Sequence, residues 1–157
     1  MKTTFIFFAV LLSYTVTTKA WCFTQDETHE QWLKQRFSEQ HQQLMPVVAV
    51  ADIFFSCNQA RQTAQSNYSL HYLIKQMDKN SLAKKLDNCL GEDTMHSSIA
   101  INFGLLACFQ DQVSYLPTTE QEQKMALVKQ AVSSLSYDER KKSFTQCVTE
   151  QSIHYLQ

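Results

Sequence analysis

Residues 47–57 read Val-Val-Ala-Val-Ala-Asp-Ile-Phe-Phe-Ser-Cys, and this apolar run constrains the fold more than any other stretch. Pro46 stands directly before it. Proline suits the first position of a helix, where its missing N–H has no intrahelical partner to lose. Between Pro46 and Gln65 there is no glycine and no second proline, so the spacing predicts one helix over 46–65. Val47, Val50, Ala51, Phe54, Cys57 and Ala64 recur on one face, while Val48, Ile53 and Phe55 fall on others. A helix apolar nearly all round lies inside a fold. Asp52, Asn58 and Arg61 break it too often for a membrane span.

A second apolar segment, 96–115, carries Ile99, Ala100, Ile101, Phe103, Leu105, Leu106, Ala107, Cys108 and Phe109. Gly104 in its middle costs about 1 kcal/mol relative to alanine, which a helix tolerates where another backbone comes close. The expected neighbour is the 46–65 helix. The chain has only two glycines and two prolines, too few for the turns of a sheet protein and too few for a phosphate-cradling loop.

Capping signals divide the rest. Thr24 or Thr28 opens a surface helix reaching about Leu44, whose stripe Trp32, Leu33, Phe37, Leu44 and Met45 is expected to lie on the core before Pro46 ends it. Leu70, Leu73, Ile74 and Met77 mark a short helix. Asn80 or Ser81 caps the next, with Leu82, Leu86, Cys89 and Leu90 facing in and Gly91 as its stop. Asp93 or Thr94 caps the 96–115 helix, and Pro117 ends it. Thr119-x-x-Glu122 and Ser136-x-x-Glu139 are capping boxes for two final helices. The predicted fold is all-α: a single disulfide-locked bundle of six to seven helices around the 46–65 and 96–115 helices.

Residues 1–20 have the pattern of a secretory signal. Lys2 is followed by an apolar stretch over 5–16, and Thr18-Lys19-Ala20 ends in a small-x-small cleavage pattern. The expectation is export to the periplasm or beyond, leaving 21–157 as one all-helical domain. Losing Lys2 and Lys19 leaves 12 basic residues against 15 acidic ones, which is no footprint for nucleic acid. Cys22 lies close to the cleavage point, but Trp21 precedes it where lipidation needs a small residue.

All five cysteines follow the signal, and an oxidising compartment favours disulfides. Cys22 sits at the new terminus and is left over, so Cys57, Cys89, Cys108 and Cys147 are expected to form two bridges. Loop closure favours Cys57–Cys89 with Cys108–Cys147, and the crossed pairing Cys57–Cys108 with Cys89–Cys147 stays open beside it.

No motif places chemistry. There is no Cys-x-x-Cys, no Gly-x-Ser-x-Gly, and none of the His-x-x-x-His or Glu-x-x-His spacings of helical metal sites. Asn67-Tyr68-Ser69 fits the N-glycosylation acceptor pattern, which carries meaning only in a eukaryotic secretory pathway. Asp52 reads as a carboxylate at a helix edge, paired with Lys or Arg or lying on a narrow polar strip with Gln59 and Gln62 or Gln65; the alternative is a buried acid. Arg61 is expected to meet Asp87, Asp93 or Asp111 in a structural ion pair. No catalytic, cofactor-binding or metal-ligating residue is assigned, and no cofactor is expected.

A small exported domain without chemistry suits protein binding. The expected partner is another protein, such as a toxin or secreted effector, with neither nucleic acid nor membrane insertion involved. The sharpest form is a periplasmic inhibitor, in the general format of helical immunity proteins that block envelope-targeting toxins; this is an analogy of format. His29, Trp32, Arg36 and Tyr155 are the candidate contact residues. Two rivals are a small cell-wall hydrolase, marked by a cleft with converging acids, and a carrier of an apolar ligand, marked by a cavity above about 300 Å³.

Overall fold

The computed structural model describes residues 21–64 and 67–157, with side chains from His29 onward. The secretory-signal residues 1–20 lie outside the described residues, as do the Cys22 side chain and Gln65. The described residues form six helices and no strand. They fall into two compact units, one ending at Arg36 and the other spanning Phe37–Gln157.

Helix α1 (Trp21–Arg61) contributes to both units. Pro46 lies inside it and does not divide it, contrary to the expectation of two helices. An interior proline forfeits the bond to the Gln42 carbonyl and crowds it, at about 3 kcal/mol. Burial of the turns that follow offsets that cost: Val48, Ala51, Ile53, Phe54 and Cys57 are each at most 1% exposed. α1 stops at Arg61 because the next residue, Gln62, turns to φ 52°, while Asn58 Oδ1 accepts from the Ala64 N–H at 2.7 Å. A left-handed residue just past the last turn is a common way for a helix to end.

The second unit builds its core on the later part of α1. Short α2 (Leu70–Lys75) is capped by Ser69, which accepts from the Tyr72 N–H. α3 (Lys79–Leu90) is capped by Asp78, not by Asn80 or Ser81, and Gly91 at φ 64° ends it as expected. α4 (Ser98–Gln112) is capped by Ser97, so the second apolar helix is shorter than 96–115. α5 (Thr118–Ser134) follows Pro117 with no side-chain cap, so the Thr119–Glu122 box does not form. α6 (Tyr137–Leu156) opens on the Ser136–Glu139 capping box. α4 packs against α5 and α6.

Two disulfides tie the helices. Cys57–Cys89 joins α1 to α3, and Cys108–Cys147 joins α4 to α6. The locally closing pairing is therefore the one adopted. Arg61 adds a polar clamp beside the first bridge: it donates to the Cys89 and Leu90 carbonyls at 2.7 and 2.9 Å and pairs with Asp93 at 3.0 Å. A cation at the open carbonyls of a helix end also suits the helix dipole. Gly104 faces α6: a Cβ there would fall 2.4 Å from Phe144 Cζ, so its close neighbour is an aromatic ring and not the backbone of α1.

Candidate functional site

Two regions concentrate unusual side chains. The first is on α1, where every residue from His29 to Gln40 is exposed. In the first unit, Trp32 and Leu33 are 54% and 48% exposed, and Phe37, which opens the second, is 46% exposed. The stripe read from the sequence as core-facing is thus buried only further along, where Leu44 and Met45 pack against the core cluster. The His29 ring stacks on Trp32 with centroids 6.0 Å apart, and the Arg36 guanidinium carbon lies 5.8 Å from the Trp32 ring centroid. Three of the four candidate contact residues are therefore one cluster of neighbouring turns.

The fourth, Tyr155, belongs elsewhere. It is 9% exposed, and its hydroxyl donates to Asp111 Oδ1 at 3.3 Å. Its ring meets those of His71 and His154, at centroid distances of 6.2 and 5.9 Å. A residue so buried is a wall of the fold and offers little surface to a partner.

Asp111 leads to the second region. Gln151 Nε2 donates both to Asp111 Oδ2 at 3.0 Å and to Asp52 Oδ1 at 3.2 Å, so one amide bridges two carboxyl groups. Asp52 is fully buried. The helix-edge reading of Asp52 is overturned, because its face of α1 is covered too and, among the described residues, no cation pairs with it. Burial pushes its carboxyl well above the ordinary range; the Gln151 hydrogen bond opposes this, and the Asp111 charge adds to it. Tyr155 is likewise held up, by burial first and then by Asp111. Asp52 Oδ2 and Gln151 Oε1 are buried without a hydrogen-bond partner among the described residues. Sequence reading missed this network because Gln151 and Asp111 carry no local signal; only Asp52 stood out.

The network borders a surface cleft of about 500 Å³ lined by Asp111, Glu150, Gln151, Tyr155, His71 and His154. A cleft of about 570 Å³ between α1, α4 and α5 is lined by Phe103, Leu106 and Met125 among others. A third, about 870 Å³, lies at the end of α1 against the 67–69 loop, with amide and apolar walls and no acid. Among the described residues, no group of His, Cys, Asp and Glu is arranged to hold a metal ion, and no helix is long and apolar enough to cross a membrane. No protein family, curated protein or solved structure matches the chain.

Proposed function

We propose that the chain is a protein-binding domain whose contact surface is the Trp32–Arg36 stretch of α1. The exposure of Trp32 and Leu33, two large apolar side chains, carries the reading. An apolar side chain left half in water forgoes about 25 cal/mol for each Å² that a partner would cover. Trp and Arg are the residue types in which binding energy concentrates at interfaces, and Arg36 beside Trp32 supplies both. In its sharpest form the domain is an exported inhibitor acting in the periplasm, such as an immunity protein against an envelope-targeting toxin.

The test is affinity capture with the purified disulfide-bonded protein, against envelope extract and against the product of an adjacent toxin gene. A partner retained by the wild type and lost with Trp32→Ala plus Arg36→Ala supports the reading. Turnover of peptidoglycan by the protein, lost on replacing Asp111, would replace it with the hydrolase reading.

A further inference from the structure

α6 is bridged to α4 at Cys147, and beyond that bridge, over residues 148–156, no covalent tie holds it among the described residues. Four side chains of this segment are buried, and only Val148 and Tyr155 among them are apolar; the others are Gln151 and Ser152. Ser152 bonds back to the Val148 carbonyl of its own helix. Two apolar side chains and a set of polar contacts therefore hold the segment to the rest of the fold. A part of a fold with few buried apolar contacts opens at lower cost than the whole.

The polar contacts converge on Asp52. Gln151 Nε2 lies 3.2 Å from Asp52 Oδ1 and 3.0 Å from Asp111 Oδ2, so one amide serves an acid of α1 and an acid of α4. Asp52 is fully buried, and among the described residues no cation pairs with it. As a carboxylate it would leave two buried acceptors without a donor, its own Oδ2 and Gln151 Oε1. A proton on Oδ2 turns one acceptor into a donor and removes the charge. Without that proton the charge would stand buried beside Asp111, with one shared amide to offset both acids. The other titratable groups at this junction bear on Tyr155 and Thr149. The Tyr155 hydroxyl donates to Asp111, and burial holds its proton in place. Lys75 donates to the Tyr155 carbonyl, the His71 and His154 rings pack against the Tyr155 ring, and His41 Nε2 lies 3.1 Å from the Thr149 carbonyl.

We propose that α6 beyond Cys147 is a strap latched by the proton on Asp52, and that rising pH releases it while the rest of the bundle stays closed. Lifting the strap takes Gln151 away and admits water to Asp52, which then gives its proton to solvent. Opening is coupled in this way to the loss of one proton. The open fraction grows about tenfold per pH unit above about pH 3.9, the value of a solvated Asp, until Asp52 ionises in the closed form as well.

The experiment is amide hydrogen exchange by NMR on the disulfide-bonded protein between about pH 4 and 9, corrected for the intrinsic pH dependence of exchange. The ¹³Cγ shift of Asp52 is followed in the same samples. Protection over 148–156 should fall about tenfold per pH unit and level off only once the ¹³Cγ shift reports ionisation. Protection over 101–108 of α4 should hold. Asp52→Asn should remove the fall. Ionisation of Asp52 near pH 3.9, steady protection over 148–156, an equal fall over 101–108, or the same fall in Asp52→Asn would overturn the proposal. The first three outcomes are read on the wild type, so they decide the matter if Asp52→Asn does not fold.

Discussion

The side-chain amide of Gln151, near the end of the chain, donates to the carboxyl of Asp52 in the middle of α1 at 3.2 Å, and both residues are buried. Ninety-nine residues separate them in sequence. Because the same amide also reaches Asp111, side chains of α1, α4 and α6 meet at one polar point.

That meeting makes stability depend on pH in a defined direction. An unfolded Asp52 loses its proton above about pH 3.9. Folded Asp52 keeps it to higher pH, because burial disfavours the charge. The folded state therefore binds more protons across that interval. The Asp52 contribution is full below the unfolded value and is lost at about 1.4 kcal/mol per pH unit as pH rises toward the folded value. Asp52→Asn removes this slope and should be more stable than the wild type at neutral pH. Urea unfolding of both proteins between pH 3 and 8 checks it, since the difference cancels the carboxylates whose values are lowered, such as Asp78 and Glu139. An identical pH slope in the variant would show that Asp52 is not the group involved.

The Cys57–Cys89 bridge closes a loop of 32 residues and the Cys108–Cys147 bridge one of 39. In the chain-entropy account each contributes about 4 kcal/mol. Replacing Cys57 and Cys89 together by alanine should lower stability by about 2–5 kcal/mol, read from the denaturation midpoint. Peptide mapping without reduction should recover Cys57 linked to Cys89 and Cys108 linked to Cys147. Recovery of the crossed peptides would contradict the described core.

Gly104→Ala puts a methyl group within 2.4–2.9 Å of three Phe144 ring atoms. The ring is buried and must shift, so overpacking of about 1–3 kcal/mol outweighs the gain of about 1 kcal/mol in helix propensity. A net loss of stability is expected on thermal unfolding. Phe144→Leu should cost less in the Gly104→Ala background than alone, because the two side chains compete for one space.

Helix content, the buried identity of α1 around Phe54, the Gly91 stop and the Ser136 capping box were legible because each is a local pattern. At Pro46 local propensity argues for a break, whereas the burial of the turns that follow it decides otherwise. Trp32, Leu33 and Phe37 read as core-facing because periodicity reports an apolar stripe and says nothing of what covers it. The Asp52–Gln151–Asp111 network was illegible because its members come from three distant helices, and a glutamine has no spacing rule. Of the candidate contact residues, His29, Trp32 and Arg36 share one short exposed stretch, whereas Tyr155 is buried.

The most direct test of the protein-binding account is site-specific photo-crosslinking in cells that make the protein. A photoreactive residue at position 33, next to Trp32, should trap a discrete partner. One at Lys141, on the exposed side of α6, should not. Trp32→Ala plus Arg36→Ala should weaken capture about 30-fold, the effect of losing about 2 kcal/mol at an interface anchor. Equal capture from positions 33 and 141, or capture from position 33 that survives both substitutions, would contradict the account.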